Sequence, residues 1–222
     1  MKNKIEGIIY KVQAYKENSR LLQVYTKRGK ISVMARGSQK INNSTRILAQ
    51  YMTHISFLDN PNKSFINLAE AKIINDFENI KQDFNKTKLA SSMLEIINKV
   101  YIDDIYHEKV FNLLISALNF DDIYISALSF ALKMLYFLGY GINFDGNGKE
   151  IVGLNIDKGG IVYYDEKVNI DLNIEETIIL MKISLSKINN LEQYPKKSLD
   201  IIKDFIYKYY LNKLEIKIKA FE

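Results

Sequence analysis

Cysteine is absent from all 222 residues of this chain, which excludes disulfides and metal sites built on thiolates. The two histidines, His54 and His107, have no cysteine and no acidic pair near them at the spacing of a metal site, and each is interpreted as structural or exposed. No uncharged apolar run approaches the roughly eighteen residues of a membrane-spanning helix. The first twenty residues mix charged and apolar positions, so we expect no signal peptide and a cytoplasmic protein.

Catalytic motifs are also lacking. The acidic pairs Asp121-Asp122 and Glu175-Glu176 stand where helices are predicted to begin, and acidic residues there complement the helix dipole. In the segment 146–149 the spacing from glycine to lysine is wrong for a phosphate-binding loop, and Glu150 follows where Ser or Thr is required. No G-x-S-x-G elbow occurs. The sequence therefore predicts a protein that is not an enzyme.

Positive charge is abundant and unevenly placed. The net charge is +5 overall, but residues 1–70 hold 12 basic and 4 acidic residues, whereas residues 71–222 hold 19 basic and 22 acidic residues. All four arginines, Arg20, Arg28, Arg36 and Arg46, lie within a single stretch of 27 residues. Because the planar guanidinium binds phosphate with two parallel donors, this stretch indicates a nucleic-acid surface.

Alternation of apolar and polar residues predicts β structure in the N-terminal third. The five predicted strands are 7–15, 21–26, 30–34, 52–58 and 64–74. Turn signals separate them at Glu17-Asn18-Ser19, at Arg28-Gly29 and across 59–62. Five short strands in about 75 residues are typical of an OB-type or SH3-like barrel. The polar connection 37–50 is expected to be a mobile loop.

From about residue 80 the apolar period changes to 3.6, which predicts packed helices. The stripes are Leu89, Met93, Ile96 or Ile97 and Val100; Phe111, Leu114, Ile115 and Leu118; Leu128, Leu132, Leu135 and Leu138; Ile174, Ile178, Met181, Leu185 and Ile188; and Leu199, Ile202, Phe205 and Tyr209. Glycine-rich residues 139–172 interrupt them as a loop or hairpin insertion. The predicted α+β architecture is an OB-type domain, 1–78, followed by a helical domain, 79–222.

Aromatic residues interleave with the cations of the predicted barrel. A groove for single-stranded nucleic acid combines rings that stack on bases with cations that follow the backbone. The candidate rings are Tyr10, Tyr15, Tyr25 and Tyr51, among Lys11, Lys16, Lys27 and Arg28. We expect half of these tyrosines to be buried in the core, so the arginines are the better candidates.

Four motifs together resemble, in order and spacing, the RecO family of bacterial DNA repair and recombination mediators. They are Gly7-Ile8-Ile9; Leu21-Leu22 followed by Tyr25-Thr26 and Gly29; Ala35-Arg36-Gly37; and the helix of residues 128–139, LSFALKMLYFLG. Gly159-Gly160 also matches, since the family usually has a glycine pair between two C-x-x-C motifs that hold zinc. Here residues 145–149 and 163–165 stand roughly where those cysteines would be, so neither zinc nor any other cofactor is expected.

The resemblance implies an OB fold, a helical domain, binding of single- and double-stranded DNA, and annealing of complementary strands in DNA repair and recombination. It implies RecR as a partner, binding to the acidic C-terminal tail of single-stranded DNA-binding protein, help in loading RecA, and association with the nucleoid. The implied DNA surface comprises Arg20, Tyr25, Lys27, Arg28, Lys30, Arg36, Lys40 and Arg46. Lys133 is nominated for the tail-binding pocket.

Two alternatives remain open from the sequence. The barrel could be SH3-like, in which case the cations of a protein-interaction adaptor would bind an acidic peptide. The chain could also be an RNA-binding OB protein that acts in translation. A salt-steep preference for nucleic acid over acidic peptide argues against the adaptor, whereas equal affinity for RNA and DNA favours the RNA-binding protein.

Overall fold

The computed structural model describes residues 3–60 and 65–222. The turn residues Pro61 and Asn62, and Ser64 at the start of the fifth predicted strand, lie outside the described residues. No helix within the described ranges is both long and apolar enough to cross a membrane.

The N-terminal part forms a curled sheet with two short helices. Its strands are β1 (Lys4–Tyr15), β2 (Ser19–Thr26), β3 (Gly29–Ala35), β4 (His54–Leu58), β5 (Phe65–Asn67) and β6 (Lys72–Asn75). The helices are α1 (Thr45–Leu48), which lies in the connection from β3 to β4, and α2 (Glu78–Lys81).

The strand order explains why the sheet curls. It runs β5-β3-β2-β1-β4-β6, so β5 and β6, which follow each other in sequence, form the two edges of the sheet. β5 pairs in parallel with β3, and β6 pairs antiparallel with β4. In the connection from β5 to β6, Ala69 O accepts a hydrogen bond from Leu58 N of β4 at 3.0 Å. The sheet therefore bends towards closure, as in an OB-like domain. The fifth predicted strand is corrected to two strands, because the backbone leaves the sheet near Glu70, whose φ is +49°.

A compact apolar core fills the concave side of this sheet. Ile9, Leu22, Val24, Val33, Ile55 and Phe57 have no exposed surface. In β2 the buried Leu22 and Val24 alternate with the half-buried Leu21 and Gln23, as the sequence pattern predicts. One irregularity occurs in β1, where Ile9 pairs with Val24 but Lys11 pairs with Gln23. Tyr10 is the extra residue of this β-bulge, which allows three consecutive residues, Ile8 to Tyr10, to be buried.

Five longer helices follow. They are α3 (Phe84–Lys99), α4 (His107–Leu118), α5 (Ile123–Phe137), α6 (Ile174–Leu185) and α7 (Lys196–Leu214). Asp122 caps α5 by accepting from Tyr124 N and Ile125 N, and Glu175 and Glu176 lie in the first turn of α6. The interpretation of these acidic pairs as helix-start residues is confirmed.

Four of the five predicted apolar stripes face the interior. The α6 part of the fourth does not: α6 is a helix as predicted, but it buries Ile179, Leu180 and Ile183, on the opposite face. Ile188 of the same predicted stripe lies beyond the end of α6 and is buried. Ile174 and Ile178 of the predicted stripe are 41% and 44% exposed. The prediction of the helix was correct and the choice of its inner face was wrong, because apolar residues occur on both faces.

The insertion 139–172 forms a small sheet of its own. Its strands are β7 (Ile151–Asn155), β8 (Gly160–Tyr163) and β9 (Leu172–Asn173), in the order β8-β7-β9. The hairpin of β7 and β8 agrees with the predicted hairpin, and β9 extends it by one strand immediately before α6.

Backbone contacts divide the chain into two compact units. The first unit contains the residues up to Thr87 together with Val100–Asn112, and the second contains Lys88–Lys99 and Leu113–Glu222. The segment 100–112 therefore packs with the barrel although helix α3 separates the two in sequence.

Candidate nucleic-acid interface

The hairpin of β2 and β3 distributes the predicted cations between its two ends. Arg20 pairs with Ala35 at one end of the ladder, and Thr26 pairs with Gly29 at the other. Six residue steps separate Arg20 from Thr26, which is about 20 Å at roughly 3.4 Å per residue. We call Arg20, Arg36, Lys40 and Arg46 the loop-end cluster, and Lys27, Arg28 and Lys30 the turn-end cluster.

Hydrogen bonds hold the loop-end cluster against the barrel. Gln39 Nε2 donates to Ser19 O at 2.6 Å, so the loop after β3 lies beside the turn between β1 and β2. Arg20 Nη1 donates to Ala49 O at 3.0 Å, which ties the end of α1 to β2. Gly37, with φ +69°, turns the chain out of β3. Residues distant in sequence are thus brought to one end of the sheet.

Three cations of the loop-end cluster are unpaired. Arg36, Lys40 and Arg46 are exposed, and within residues 3–60 and 65–222 none of them forms an ion pair with a carboxylate. An exposed guanidinium without a protein partner retains all its donors for a ligand. Arg20 is half-buried and already has the carbonyl of Ala49 as a partner.

The turn-end cluster, by contrast, is engaged with the protein. Lys27 Nζ lies 3.3 Å from Glu108 Oε1, and Arg28 Nη2 lies 2.5 Å from Asp59 Oδ1. Lys30 Nζ donates to Val100 O at 2.7 Å, and desolvation lowers the pKa of this lysine below its ordinary value. A phosphate at this end would compete with these contacts, so the turn-end cluster is the weaker candidate.

Two of the turn-end cations, Lys27 and Arg28, line a shallow cleft of about 420 Å³. Lys4, Lys27 and Arg28 contribute positive charge, but Glu6 and Asp59 contribute negative charge to the same walls. The mixed lining does not favour a polyanion.

The assignment of Tyr25 to the DNA surface requires correction. Its ring has no exposed surface, its hydroxyl is 3.1 Å from His107 Nδ1, and its ring lies edge-on to that imidazole. Burial raises the pKa of the Tyr25 phenol. A ring enclosed in this way cannot stack on a base. Tyr10 is buried as well, whereas Tyr15 and Tyr51 are each 37% exposed, so half of the four tyrosines are buried, as expected.

Two exposed side chains near the loop-end cluster, Ile41 and Ile47, have little or no signal in the sequence. Ile41 and Ile47 are 82% and 61% exposed, and both lie in the connection that carries Lys40 and Arg46. Lys16 Nζ lies 5.6 Å from the ring centroid of Tyr15, at the adjoining turn between β1 and β2. An apolar residue within a polar connection has no periodicity to mark it, so only the structure identifies Ile41 and Ile47 as exposed.

Comparison with known proteins is consistent with this geometry. Residues 1–77 match the family model described as Recombination protein O N terminal. The DNA repair protein RecO of Oceanobacillus iheyensis is 23% identical over 227 residues, which cover 95% of this chain and 88% of that protein. The DNA repair protein RecO of Bacillus mycoides is 28% identical over 172 residues, which cover 73% and 69%. The N-terminal third of this chain is therefore similar to the RecO N-terminal family, and most of the chain is similar to proteins named RecO. The printed names of these relatives are those of DNA repair proteins, and the matching family is named for recombination.

The residues of the insertion in this chain do not fit zinc. Among the described residues, no group of three or more His, Cys, Asp or Glu side chains could hold a metal ion. The two segments that correspond to the family's cysteine motifs are joined directly instead: Lys149 Nζ lies 2.5 Å from Asp165 Oδ2, and the Tyr163 hydroxyl donates to Asp145 O at 2.9 Å. Lys158 also pairs with Glu166. Hydrogen bonds and ion pairs connect these segments without a metal.

The two histidines have structural contacts. Both lie in the first unit and both are buried, His54 at 5% and His107 at 8% exposure. His54 packs edge-on against Phe111, and His107 contacts Tyr25. The predicted domain boundary placed them in different domains, because the packing of 100–112 with the barrel has no signal in local periodicity.

Lys133, nominated for a partner pocket in the RecO resemblance, has partners within the chain. Its Nζ donates to Ile183 O at 3.4 Å and to Ser184 O at 2.5 Å, the last carbonyls of α6. A cation at a helix C-terminus complements the helix dipole. Burial lowers the pKa of this lysine to about 8. The contacts give Lys133 a structural role at the end of α6.

Proposed function

We propose that this chain binds single- and double-stranded DNA through its loop-end cluster and anneals complementary strands without hydrolysis. The observation that supports the proposal most directly is the set of exposed, unpaired cations Arg36, Lys40 and Arg46 in the described part of the chain. Their loop is anchored to the barrel at Ser19 and Ala49. The names of the RecO relatives, DNA repair proteins, support DNA as the ligand.

Annealing follows from the electrostatics of such a surface. Two strands repel each other through their phosphates, and cations that contact both strands reduce this repulsion. Exposed apolar and aromatic side chains beside the cations, Ile41, Ile47 and Tyr15, offer surfaces to unpaired bases. The cations lie in a connection and not on a long helix or hairpin that could enter a groove, so we expect little base-specific recognition.

In this proposal residues 1–78 carry DNA binding, and the helical domain, 79–222, binds protein partners. The acidic balance of residues 71–222 keeps that part of the chain away from phosphates. By analogy with the family, the partners are RecR and the acidic tail of single-stranded DNA-binding protein, and the outcome is loading of RecA onto coated strands. Lys133 is left out of the tail-binding site because two carbonyls occupy its ammonium. A cytoplasmic, nucleoid-associated protein is consistent with this role.

The test is fluorescence anisotropy of a labelled single-stranded oligonucleotide at several salt concentrations. The variant Arg36→Ala/Lys40→Ala/Arg46→Ala removes the three unpaired cations. Each phosphate contact to a single strand contributes about 0.7 to the salt slope, or about fivefold in affinity at roughly 0.1 M salt. We therefore expect a loss on the order of 100-fold and a slope shallower by about 2.

A matched control removes the same charge elsewhere. Lys187, Lys196 and Lys197 are exposed lysines of the second unit, and their triple alanine variant is expected to keep nearly the wild-type affinity. Equal losses of affinity in the two triple variants would show that binding depends only on the net charge of the protein, and would contradict the proposal. Unchanged affinity in the loop-end variant would contradict it as well. Equal affinity for an RNA oligonucleotide would favour the RNA-binding alternative, and tighter binding of an acidic peptide than of the oligonucleotide would favour the adaptor.

A further inference from the structure

Helix α6 carries apolar side chains on two opposite faces. Ile179, Leu180 and Ile183 face the interior of the second unit. On the outer face Ile174, Ile178 and Leu185 are 41%, 44% and 63% exposed, and Met181 is half-buried. We call these four residues the α6 stripe. The outer face of a surface helix is ordinarily polar, so an apolar stripe there indicates an interaction surface.

The α6 stripe is continuous. At about 100° per residue its four members fall within an arc of about 60°, and they extend over about 17 Å at 1.5 Å per residue. Helix α7 differs, since its exposed apolar residues Ile201 and Leu211 are 38% exposed each but lie ten positions, or about 15 Å along the axis, apart with no exposed large apolar residue between them. The stripe is therefore a feature of α6 and not of helix surfaces in general in this protein.

Charges border the stripe along one side only. Glu175 and Lys182 are exposed and lie about 40–60° from Ile178 in the same direction around the helix. They are seven residues apart, one towards each end of the stripe. Within the described ranges neither forms an ion pair.

This pattern is complementary to itself. A two-fold axis that pairs two antiparallel α6 helices keeps the charged side of one helix next to the charged side of the other. Glu175 of each copy then faces Lys182 of the second copy, while Ile178 lies at the centre. A parallel pair would place the two charged sides on opposite edges, where they do not meet. One acid and one base also give no net charge to attract an acidic peptide or an anionic membrane.

We propose that α6 is a self-association face at which two copies of this chain pair antiparallel. The proposal is independent of DNA binding. Four apolar side chains per copy make an interface at or below the lower size limit for stable complexes, so we expect a reversible dimer with a dissociation constant on the order of 10 µM or weaker.

Sedimentation velocity of the full chain over a range of concentrations tests the proposal. The wild type is expected to shift from monomer to dimer as the concentration rises. Ile178→Glu places a charge at the centre of the stripe and is expected to abolish the dimer. The matched control Ile201→Glu changes an equally exposed isoleucine of α7 and is expected to leave the dimer intact. A wild type that stays monomeric at the highest concentration, or a dimer that Ile178→Glu leaves unchanged, would overturn the proposal.

Charge exchange tests the orientation of the pair. Glu175→Lys and Lys182→Glu should each weaken the dimer by about fivefold or more, since each places like charges opposite one another. The double variant restores opposite charges and should recover dimerisation, and a mixture of the two single variants should form a heterodimer. Failure of both recoveries would exclude the antiparallel pair. Binding of an acidic, apolar peptide by a monomeric wild type, lost in Ile178→Glu, would assign the stripe to another partner instead.

Discussion

His54 is a buried titratable group whose surroundings favour its neutral form. Burial lowers its pKa below the ordinary value of 6.5, and Glu6, whose Oε2 lies 3.5 Å from His54 Nε2, offsets part of that effect. Above about pH 6.5 the ring is neutral in both the folded and the unfolded chain. As the pH falls below 6.5 the unfolded chain binds a proton that the folded chain does not, so this group destabilises the fold at acidic pH.

The variant His54→Gln tests this effect. Urea unfolding at pH 7.5 and at pH 5.5 should give a free energy of unfolding that falls more steeply with acidification in the wild type than in the variant. Glu6→Gln removes the carboxylate that favours the imidazolium and should make the acid loss steeper than in the wild type. Identical pH profiles for the wild type and His54→Gln would contradict the assignment.

The cations illustrate what sequence identifies at the scale of single residues. Their residue type and their place in the sequence identified all seven predicted DNA-binding cations as one basic group. That these cations contact DNA is a prediction. Local sequence does not indicate which of them already have partners. Arg28 pairs with Asp59, 31 residues away, and Lys27 pairs with Glu108, 81 residues away. Tyr25 was misjudged for the same reason, since His107 lies 82 positions from it.

At the scale of elements, the sheet β8-β7-β9 depends on close packing where the family resemblance implied zinc. Gly153 in β7 lies against β9 so closely that a Cβ there would be 2.2 Å from the Leu172 carbonyl oxygen and 2.6 Å from Ile170 Cγ2. The first of these neighbours is backbone and cannot rotate away. The Lys149 and Asp165 side chains are 56% and 55% exposed, and exposed ion pairs contribute little.

We expect Gly153→Ala to destabilise the protein by about 1–3 kcal/mol, because the added methyl group must displace strand β9. Gly146→Ala is the matched control: nothing lies within 4 Å of the position of its Cβ, and its stability should remain close to that of the wild type. Thermal unfolding followed by circular dichroism measures both, and excess EDTA should change neither transition. A Gly153→Ala protein as stable as the control would refute the packing argument.

At the scale of the whole molecule, the first unit combines two pieces of sequence. Segment 100–112 makes several contacts with the barrel. His107 contacts the Tyr25 hydroxyl, and Val100 O accepts a hydrogen bond from Lys30 Nζ. The centroid of the Phe111 ring lies 5.9 Å from that of His54. Without this segment Tyr25 and His54 would lose their packing partners. We therefore expect the barrel sequence alone to be less stable than the barrel with this segment.

A linked fragment tests this expectation. In it a flexible linker of about twelve Gly and Ser residues replaces 88–99, a helical stretch of about 18 Å that such a linker spans easily. We expect the chain 1–87–linker–100–112 to unfold cooperatively on heating, and residues 1–87 alone to melt at a lower temperature or without a cooperative transition. Phe111→Ala in the linked fragment should reduce the difference. Equal melting temperatures for the two fragments would contradict a contribution from 100–112.

The type and order of most elements in this protein follow from the amino-acid pattern alone. Alternation in residues 7–34 and a 3.6-residue period after residue 80 come from local chemistry, because each period sets which neighbouring side chains share a face. The absence of cysteine and the clustering of all four arginines are also read directly from the sequence. The order and spacing of short motifs are sufficient to indicate the RecO family.

The tertiary structure decided which of the available faces and charges are used. Both faces of α6 are apolar, so only packing against the rest of the second unit selects Ile179, Leu180 and Ile183 as the inner side. Partners far apart in sequence decide which cations stay available and which tyrosines are enclosed. Such contacts depend on the joint arrangement of distant segments, and a local period carries no information about that arrangement.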